Sequence, residues 1–311
     1  MIRPAIAVLL AWTASTLAQQ TPAPSLPTAT VKTSPLLVSA DMREGLDLSG
    51  PWHYSLDPFR AGLAGFHGET PDRGQLRYRE IDVRKEMAAD NRVLYEFDLA
   101  NSPVTTLPSS WLTQAPELRY YQGLMWYQRN FSVPAQRPSN NKGRSFLRFS
   151  AANYSTVVYL NGQPVGRHEG GFTPFTFEVS KLLRPGNNQI TVGVDSQATD
   201  ATVPPPVTDW ENYGGITRSI RLISTPDTYV DSASLALTRD GQIAVVAHLD
   251  GPQAANRALR LRIADLRIDL AGTTDAEGNW RTTVAAPRAL VRWSPEQPKL
   301  YDVSIATGDD T

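Results

Sequence analysis

Short runs in which apolar and polar residues alternate, separated by turn residues, dominate this chain from residue 36 onward. The clearest run is 189–195, where every second side chain is isoleucine or valine. Successive side chains of a strand point to opposite faces, so this spacing predicts a strand with one face in a core. The dipeptide Asn161-Gly162 follows another such run and is typical of a two-residue hairpin turn. The pattern predicts an all-β protein.

The predicted strands fall into two blocks. The first block, 36–225, is large for an immunoglobulin fold and favours a jelly-roll β-sandwich of the galactose-binding-like kind. The second block, 226–311, favours an immunoglobulin-like β-sandwich, complete or truncated. Its strands are predicted at 229–238, 242–249, 258–264, 279–285 and 300–306. A weakly helical pattern is found at 79–91.

The N-terminus carries the features of an export signal. Arg3 precedes an apolar run at 5–17, and residues 16–18 (Thr-Leu-Ala) resemble a small-residue cleavage site. We predict a signal peptide at 1–18, followed by a Pro- and Thr-rich linker at 19–35. The run is too short for a stop-transfer helix, so no membrane segment is expected after cleavage. These features predict a periplasmic or extracellular protein.

Composition excludes several classes of function. The 30 basic and 31 acidic side chains nearly cancel, so the chain lacks the basic footprint of a nucleic-acid-binding protein. The lack of cysteine in the sequence excludes disulfides, iron–sulfur clusters and thiol nucleophiles. The four histidines are far apart and show no metal-ligand spacing. We therefore expect no cofactor, metal or nucleic-acid partner, and a homo-oligomer is compatible with the sequence.

One polar stretch has the chemistry of a carbohydrate site. It consists of Asp209, Trp210, Glu211 and Asn212, followed by a tyrosine, two glycines and an alternating run. Carboxylates and amides hydrogen-bond sugar hydroxyls, and an indole face covers the apolar C–H face of a pyranose. The paired glycines allow the chain to turn sharply before the strand resumes. The alternative is an ordinary polar loop between strands.

Six short motifs, in the same order along the chain, resemble those of glycoside hydrolase family 2, which includes β-glucuronidases and β-galactosidases. They are 47–52 (DLSGPW), 107–111 (LPSSW), 126–131 (WYQRNF), 168–175 (HEGGFTPF), 212–218 (NYGGITR) and 293–301 (WSPEQPKLY). Each motif alone is weak evidence. The six together, in order, are specific for the family.

The resemblance implies three domains: a jelly-roll sugar-binding domain, an immunoglobulin-like domain and a catalytic (β/α)8 barrel. It also implies retaining hydrolysis of β-glycosides by two barrel glutamates, the first in an Asn-Glu dipeptide. The present sequence contains no Asn-Glu dipeptide, and the barrel is an expected partner domain outside it. We therefore predict no catalytic residue in this chain and no hydrolase activity of the chain alone.

The same resemblance assigns a role to the polar stretch. In the family, the aspartate at the Asp209 position lies on a loop that reaches the active site of the barrel and touches the bound sugar. The resemblance thus implies that Asp209 contacts substrate at the rim of that site. Trp210 and Glu211 are further candidates where the family pattern is looser, and Asn212 completes the predicted set. Three prolines at 204–206 favour a stiff, extended approach to this loop.

Other interpretations stay open. A stand-alone, non-catalytic carbohydrate-binding protein is the main alternative, and a purely structural fragment, which would leave apolar surface exposed, is another. Independent catalysis by Asp209 and Glu211 is disfavoured, because a catalytic acid needs an enclosed, partly apolar site that a loop on an open sandwich seldom provides.

Several other residues are interpreted as structural. The side chains predicted to pack in cores are Trp52, Trp126, Tyr127, Phe172, Phe175 and Trp293. The loop at His168 is accordingly read as a packing loop, in preference to one whose imidazole donates to a sugar hydroxyl. Buried or interdomain hydrogen bonds are predicted for Arg129 and Arg218. Arg260 and Arg262 are predicted to lie on the outer face of a strand.

Overall fold

A computed structural model describes residues 35–60, 62, 99–134, 143–308 and 310–311. Ten strands come first: β1 (Gly45–Asp47), β2 (Gly50–Asp57), β3 (Val104–Leu107), β4 (Leu124–Val133), β5 (Arg144–Phe149), β6 (Ser155–Leu160), β7 (Gln163–Glu169), β8 (Phe175–Glu178), β9 (Gly186–Asp195) and β10 (Ile220–Thr225). Six follow: β11 (Tyr229–Leu237), β12 (Gln242–Asp250), β13 (Ala258–Ile263), β14 (Ile268–Thr273), β15 (Asn279–Ala285) and β16 (Ser304–Ala306). The helices of these ranges are short 3-10 turns: Leu99–Asn101, Trp111–Thr113, Pro116–Leu118 and Ala264–Leu266.

The first ten strands form a jelly-roll sandwich of two antiparallel sheets. One sheet has the order β3-β2-β4-β9-β6-β7, and the other has the order β1-β10-β5-β8. Strand β9 contains the strand predicted at 189–195, and the isoleucine and two valines of that run are fully buried. The β6–β7 hairpin turns at Asn161 and Gly162, whose φ angles of 54° and 76° suit the predicted turn.

Aromatic side chains fill the space between these two sheets. Those at most 2% exposed in this core are Trp52, Trp111, Tyr127, Phe149 and Phe175. Trp126 belongs to a separate buried cluster with Leu99 and Tyr159, and its indole N–H donates to the Asp57 carboxylate at 2.9 Å. The core predictions for Trp52, Trp126 and Tyr127 are confirmed.

The last six strands form an immunoglobulin-like sandwich from the sheets β11-β12-β15 and β14-β13-β16. Its core contains Leu261 and Trp280. Arg260 and Arg262 lie on its outer face, as predicted, and both pair with Asp269. The predicted fold class, a jelly-roll sandwich followed by an immunoglobulin-like sandwich, is therefore confirmed. The domain limits 36–225 and 226–311 stay a prediction.

Two strands of the second sandwich differ from the sequence prediction. Strand β14 is not predicted, because its Ala-Gly pair has low strand propensity. Gly272 is nonetheless required there, since a Cβ at this position would overlap the indole of Trp280. Strand β16 covers only the last three residues of the run predicted at 300–306, and Leu300 before it is exposed.

Two aromatic predictions are wrong. Trp293 is 58% exposed and lies outside the core, where Trp280 provides the large indole. Phe172 is also exposed, whereas Phe175 is buried against Phe149 with stacked rings 4.8 Å apart. One phenylalanine of the Phe-Thr-Pro-Phe loop is therefore enough to close this part of the core.

The two predicted arginines have different surroundings. Arg129 donates to the Leu48 and Ser49 carbonyls at 2.7 and 2.5 Å, which confirms its prediction. Arg218 is exposed, so the buried alternative of its prediction is wrong, and the interdomain alternative stays a prediction. It falls in the irregular segment just before β10, where its side chain faces solvent.

Charged side chains around one tyrosine hold the two sandwiches together at a contact that we call the joint, formed by Arg43, Arg144, Tyr229, Asp250 and Asp310. The Arg43 guanidinium lies 2.6 Å from the Asp310 carboxylate, and both side chains are less than 10% exposed. The backbone N–H of Val230, at the start of β11, donates to the same carboxylate at 2.7 Å.

The Tyr229 ring is the centre of the joint. The Arg43 and Arg144 guanidinium carbons lie 5.6 and 5.2 Å from its centroid, which is within cation–π range. Its hydroxyl donates to Asp250 at 3.1 Å, and Arg144 reaches Asp250 at 2.9 Å. Residues of both sandwiches thus share one network of opposite charges around an aromatic ring.

Some predictions concern segments outside the described residues. They are the signal peptide at 1–18, the linker at 19–35 apart from its last residue, and the helical pattern at 79–91. In the part of the chain that the structure describes, the helices are too short and too polar to cross a membrane.

Candidate functional site

The candidate loop, defined as residues 209–215, lies in the connection between β9 and β10. Asp209, Trp210 and Glu211 are exposed, and Asn212 is half-buried. The Trp210 side chain is 63% exposed, which is a large apolar area to leave in water. The four predicted residues therefore present carboxylates, an amide and an indole on one solvent-facing segment.

The glycines of the candidate loop are held against the body of the sandwich. The Gly214 carbonyl accepts hydrogen bonds from the Ser110 hydroxyl at 2.9 Å and from the Trp111 backbone N–H at 3.2 Å. A Cβ on Gly214 would overlap the Trp111 indole, so only glycine allows this approach. Gly215 has φ of 120°, a conformation that disfavours other residues. The paired glycines thus serve close packing as well as the predicted turn.

Asn153, the second residue before β6, makes four hydrogen bonds to the candidate loop. Its side-chain N–H groups donate to Asn212 Oδ1 at 2.7 Å and to the Tyr213 carbonyl at 2.8 Å. Its backbone N–H donates to the Gly215 carbonyl at 2.8 Å, and its carbonyl accepts from the Gly215 N–H at 3.1 Å. Asn153 is fully buried. Sequence reasoning missed it because its partners are about sixty residues away along the chain.

The approach to the candidate loop is bent, in contrast to the predicted stiff extension at 204–206. The Thr202 hydroxyl donates to the Pro204 carbonyl at 2.8 Å, and Pro204 itself is buried. Nearer the loop, the Thr208 hydroxyl donates to the Trp210 carbonyl at 2.8 Å. Local hydroxyl–carbonyl bonds of this kind favour turns over an extended chain.

The exposed half of the candidate loop has an ionic contact with Arg119, which follows the 3-10 helix Pro116–Leu118. The Arg119 guanidinium lies 3.4 Å from Glu211, with the two side chains 58% and 42% exposed. It also lies 5.7 Å from the centroid of the exposed Tyr120 ring. Arg119 therefore borders the predicted residues, with Tyr120 next to it, and no sequence motif indicated either of them.

This arrangement is suited to contact and not to proton transfer. The Asp209 and Glu211 side chains face solvent, so neither has the enclosed, apolar surroundings that a general acid at neutral pH requires. What the loop provides is hydrogen-bond acceptors, an amide and a flat apolar ring, which are the groups that recognise hydroxyl-rich rings.

Two titratable groups near the loop pack within the sandwich: Tyr127 is fully buried, and His168 is half-buried. His168 stacks on Phe175 with ring centroids 4.1 Å apart, and burial lowers the pKa of its imidazole. This packing supports its interpretation as a structural residue. Burial also raises the pKa of the Tyr127 hydroxyl, which lies directly beneath Gly215. Both groups are therefore neutral near pH 7.

The described residues bring no three His, Asp or Glu side chains together in a way that could hold a metal ion. The residues that the site does bring together are those of the candidate loop, with Arg119 and Tyr120 beside them and Asn153 beneath.

Fold and site together define a class: an all-β protein of two sandwiches in tandem, with an anchored polar and aromatic loop on the first. The family model "Glycosyl hydrolases family 2, sugar binding domain" matches residues 46–226, which include the candidate loop and all but the first residue of the two sheets of the first sandwich. The chain belongs to glycoside hydrolase family 2.

Named relatives of this chain are longer enzymes. A β-glucuronidase of Rattus norvegicus is 30% identical over 265 residues, a match that covers 73% of this chain and 40% of the relative. A β-glucuronidase of Mus musculus is 30% identical over 231 residues, covering 66% of this chain and 32% of the relative. The chain thus spans less than half the length of the curated relatives it matches.

Solved β-glucuronidase structures are also more than twice as long as the part that this chain matches. A β-glucuronidase of Bifidobacterium dentium, in complex with coumarin-3-O-glucuronide, superposes with a TM-score of 0.65 at 24% identity, covering 87% of this chain and 46% of that one. A β-glucuronidase of Lactobacillus rhamnosus gives a TM-score of 0.63 at 24% identity, covering 90% and 44%. These likenesses extend over both sandwiches and show a shared fold.

Proposed function

We propose that this chain is the non-catalytic N-terminal portion of an exported, retaining glycoside hydrolase that acts on β-glycosides, of the β-glucuronidase or β-galactosidase kind. In this proposal, the candidate loop contacts substrate at the rim of an active site whose glutamates belong to a (β/α)8 barrel. The family membership and the lengths of the named relatives support it. The observation that carries it is a loop that is exposed at 209–211 and anchored by hydrogen bonds at 212–215.

Each predicted residue has a chemical role in this proposal. The Asp209 carboxylate accepts hydrogen bonds from sugar hydroxyls, and the Trp210 ring covers the C–H face of a pyranose. Glu211 and Asn212 add polar contacts at the edge of that ring. Bond cleavage requires two glutamates about 5 Å apart in an enclosed site, and the proposal assigns that pair to the barrel.

Titration of the 311-residue chain with D-glucuronate and D-galactose tests the contact role. We expect millimolar binding of at least one sugar, lost in Asp209→Ala. Asp240→Ala is the matched control, because Asp240 is an exposed aspartate in the β11–β12 turn of the second sandwich. Equal binding by wild type and Asp209→Ala would overturn the role of Asp209.

Chromogenic β-glucuronides and β-galactosides test the non-catalytic assignment. We expect no turnover above a heat-inactivated sample of the same chain. Turnover clearly above that background would contradict the assignment of catalysis to another domain.

The export assignment has its own test. When the chain is expressed in a bacterium, we expect it in the periplasm or the medium with a mature N-terminus at Gln19. Recovery of the uncleaved chain in the cytoplasm alone would contradict the predicted signal peptide.

A further inference from the structure

We propose that Asn153 is a positioning residue, which fixes the candidate loop in its ligand-binding conformation without touching the ligand. The inference rests on the proposed function, because it concerns the same loop. It attributes the fixed conformation of residues 212, 213 and 215 to one buried asparagine on a different segment of the chain, while Ser110 and Trp111 hold Gly214.

The side chain of Asn153 can bind the loop in only one orientation. The Tyr213 carbonyl can only accept a hydrogen bond, so the Asn153 Nδ2 group must face it. The Oδ1 atom then faces Gly171, where a Cβ would collide with it. Gly171 therefore provides the space for this orientation, and the amide cannot flip without losing the bond to Tyr213.

The same Nδ2 group also orients a residue of the predicted site. It donates to Asn212 Oδ1 at 2.7 Å, while Asn212 Nδ2 lies 3.5 Å from the Ser196 carbonyl. The Asn212 amide is thus held between Asn153 and the end of β9. One N–H and one lone pair of Asn212 stay available for a ligand.

Asn153 controls the exposed residues because they have little other support. Residues 209–211 are exposed, and their contact with Arg119 is a solvent-screened ion pair. The four hydrogen bonds between Asn153 and the loop hold the neighbouring residues 212, 213 and 215. A loop that is ordered before binding loses less conformational entropy on binding, so this anchor increases affinity.

Asn153→Asp tests the inference in the full 311-residue chain. The variant keeps the size of the side chain but replaces the donating Nδ2 group with an oxygen that faces two acceptors. We expect affinity for D-glucuronate to fall roughly tenfold through loss of preorganisation. We also expect amide hydrogen exchange at 213–215 to accelerate while exchange within β9 is unchanged. A purely structural role would instead accelerate exchange throughout the sandwich.

Asn188→Asp is the matched control. Asn188 is also buried, and its Nδ2 group donates to two carbonyls, of Arg184 at 2.7 Å and Gly186 at 3.0 Å. It lies near the opposite end of β9 from the candidate loop, about 20 Å away at the usual rise per residue. This control should lose thermal stability and keep the affinity of wild type.

Each outcome decides the inference. Wild-type affinity together with wild-type exchange at 213–215 in Asn153→Asp would overturn it. If that variant does not fold, the milder Asn153→Ser, which removes the amide without adding charge, carries the same two measurements. If wild type binds no sugar, the proposed function fails, and the exchange at 213–215 still decides whether Asn153 orders the loop.

Discussion

The candidate loop and the joint are attached to opposite ends of the same strand, β10, and different chemistry holds each of them. At the joint, Arg43 and Asp310 form an ion pair with both side chains less than 10% exposed. At the loop, the Arg119–Glu211 pair is about half exposed, and backbone and amide hydrogen bonds to Asn153 provide the anchor. The joint therefore buries its Arg43–Asp310 pair, whereas the loop leaves its charges in contact with solvent.

This difference predicts that substitutions in the two regions affect different quantities. Removing one partner of a buried ion pair leaves an uncompensated charge and costs about 3–5 kcal/mol. An exposed pair contributes about 0–1 kcal/mol and is weakened by salt. Substitutions at the joint should therefore change the free energy of unfolding, and substitutions at the exposed half of the loop should change affinity alone.

The largest effect is expected for Asp310→Ala at the joint. It leaves the Arg43 guanidinium and the Val230 N–H without their carboxylate, so the free energy of unfolding should fall by about 3–5 kcal/mol. Urea unfolding measures this, with the exposed Asp302→Ala as control. A loss below about 1 kcal/mol would show that the joint is not held by this pair.

Gly214→Ala should have the next largest effect, at the anchored half of the loop. The new Cβ overlaps the Trp111 indole, and overpacking of this kind costs about 1–3 kcal/mol. Sugar affinity should fall as well, because the loop must move. The same substitution in a Trp111→Phe background should cost less, since phenylalanine lacks the colliding indole atoms. An equal cost in both backgrounds would contradict the overlap.

The effect of pH at the edge of the joint is smaller. Hydrogen bonds from Arg144 hold the pKa of Glu178 below its usual value of 4.5. The stabilisation is therefore present above pH 4.5 and is lost as pH falls through the lower folded-state pKa. Glu178→Gln should lower the free energy of unfolding by at most about 1 kcal/mol at pH 7, and the difference should shrink in acid. A difference that grows below pH 4.5 would have the wrong sign.

Arg119→Ala should have the smallest effect on stability. The pair with Glu211 is exposed and 3.4 Å long, so the change should be a few tenths of a kcal/mol and should vanish in 1 M salt. Thermal unfolding at low and high salt measures it. A loss above about 1 kcal/mol would mean that the exposed half of the loop is held as firmly as the joint.

Local sequence patterns predict part of this molecule. Alternation predicts β9, and Asn161-Gly162 predicts the β6–β7 turn, because both signals involve neighbouring residues. Strand β14 is missed because the need for Gly272 comes from Trp280, which approaches from another strand. The sequence likewise does not distinguish Trp280, which fills the core, from Trp293, which is exposed.

The candidate site, too, could be predicted from the sequence only where its residues are neighbours in the chain. A short motif indicates the candidate loop, since its four predicted residues are consecutive. The residues that anchor it, Asn153 and Trp111, come from segments about 60 and 100 positions earlier in the chain. Only the folded chain brings them together, so no local pattern could indicate their role.

The central claim, that the candidate loop contacts a sugar, is tested most directly by NMR of the tryptophan indole N–H signals during titration with D-glucuronate. The seven indoles give separate reporters, and Trp210→Phe assigns the signal of the loop. We predict a saturable shift of the Trp210 signal at millimolar sugar, with the buried Trp280 signal of the second sandwich unchanged. A Trp210 signal that does not move while the sugar binds elsewhere, or does not bind at all, would contradict the account.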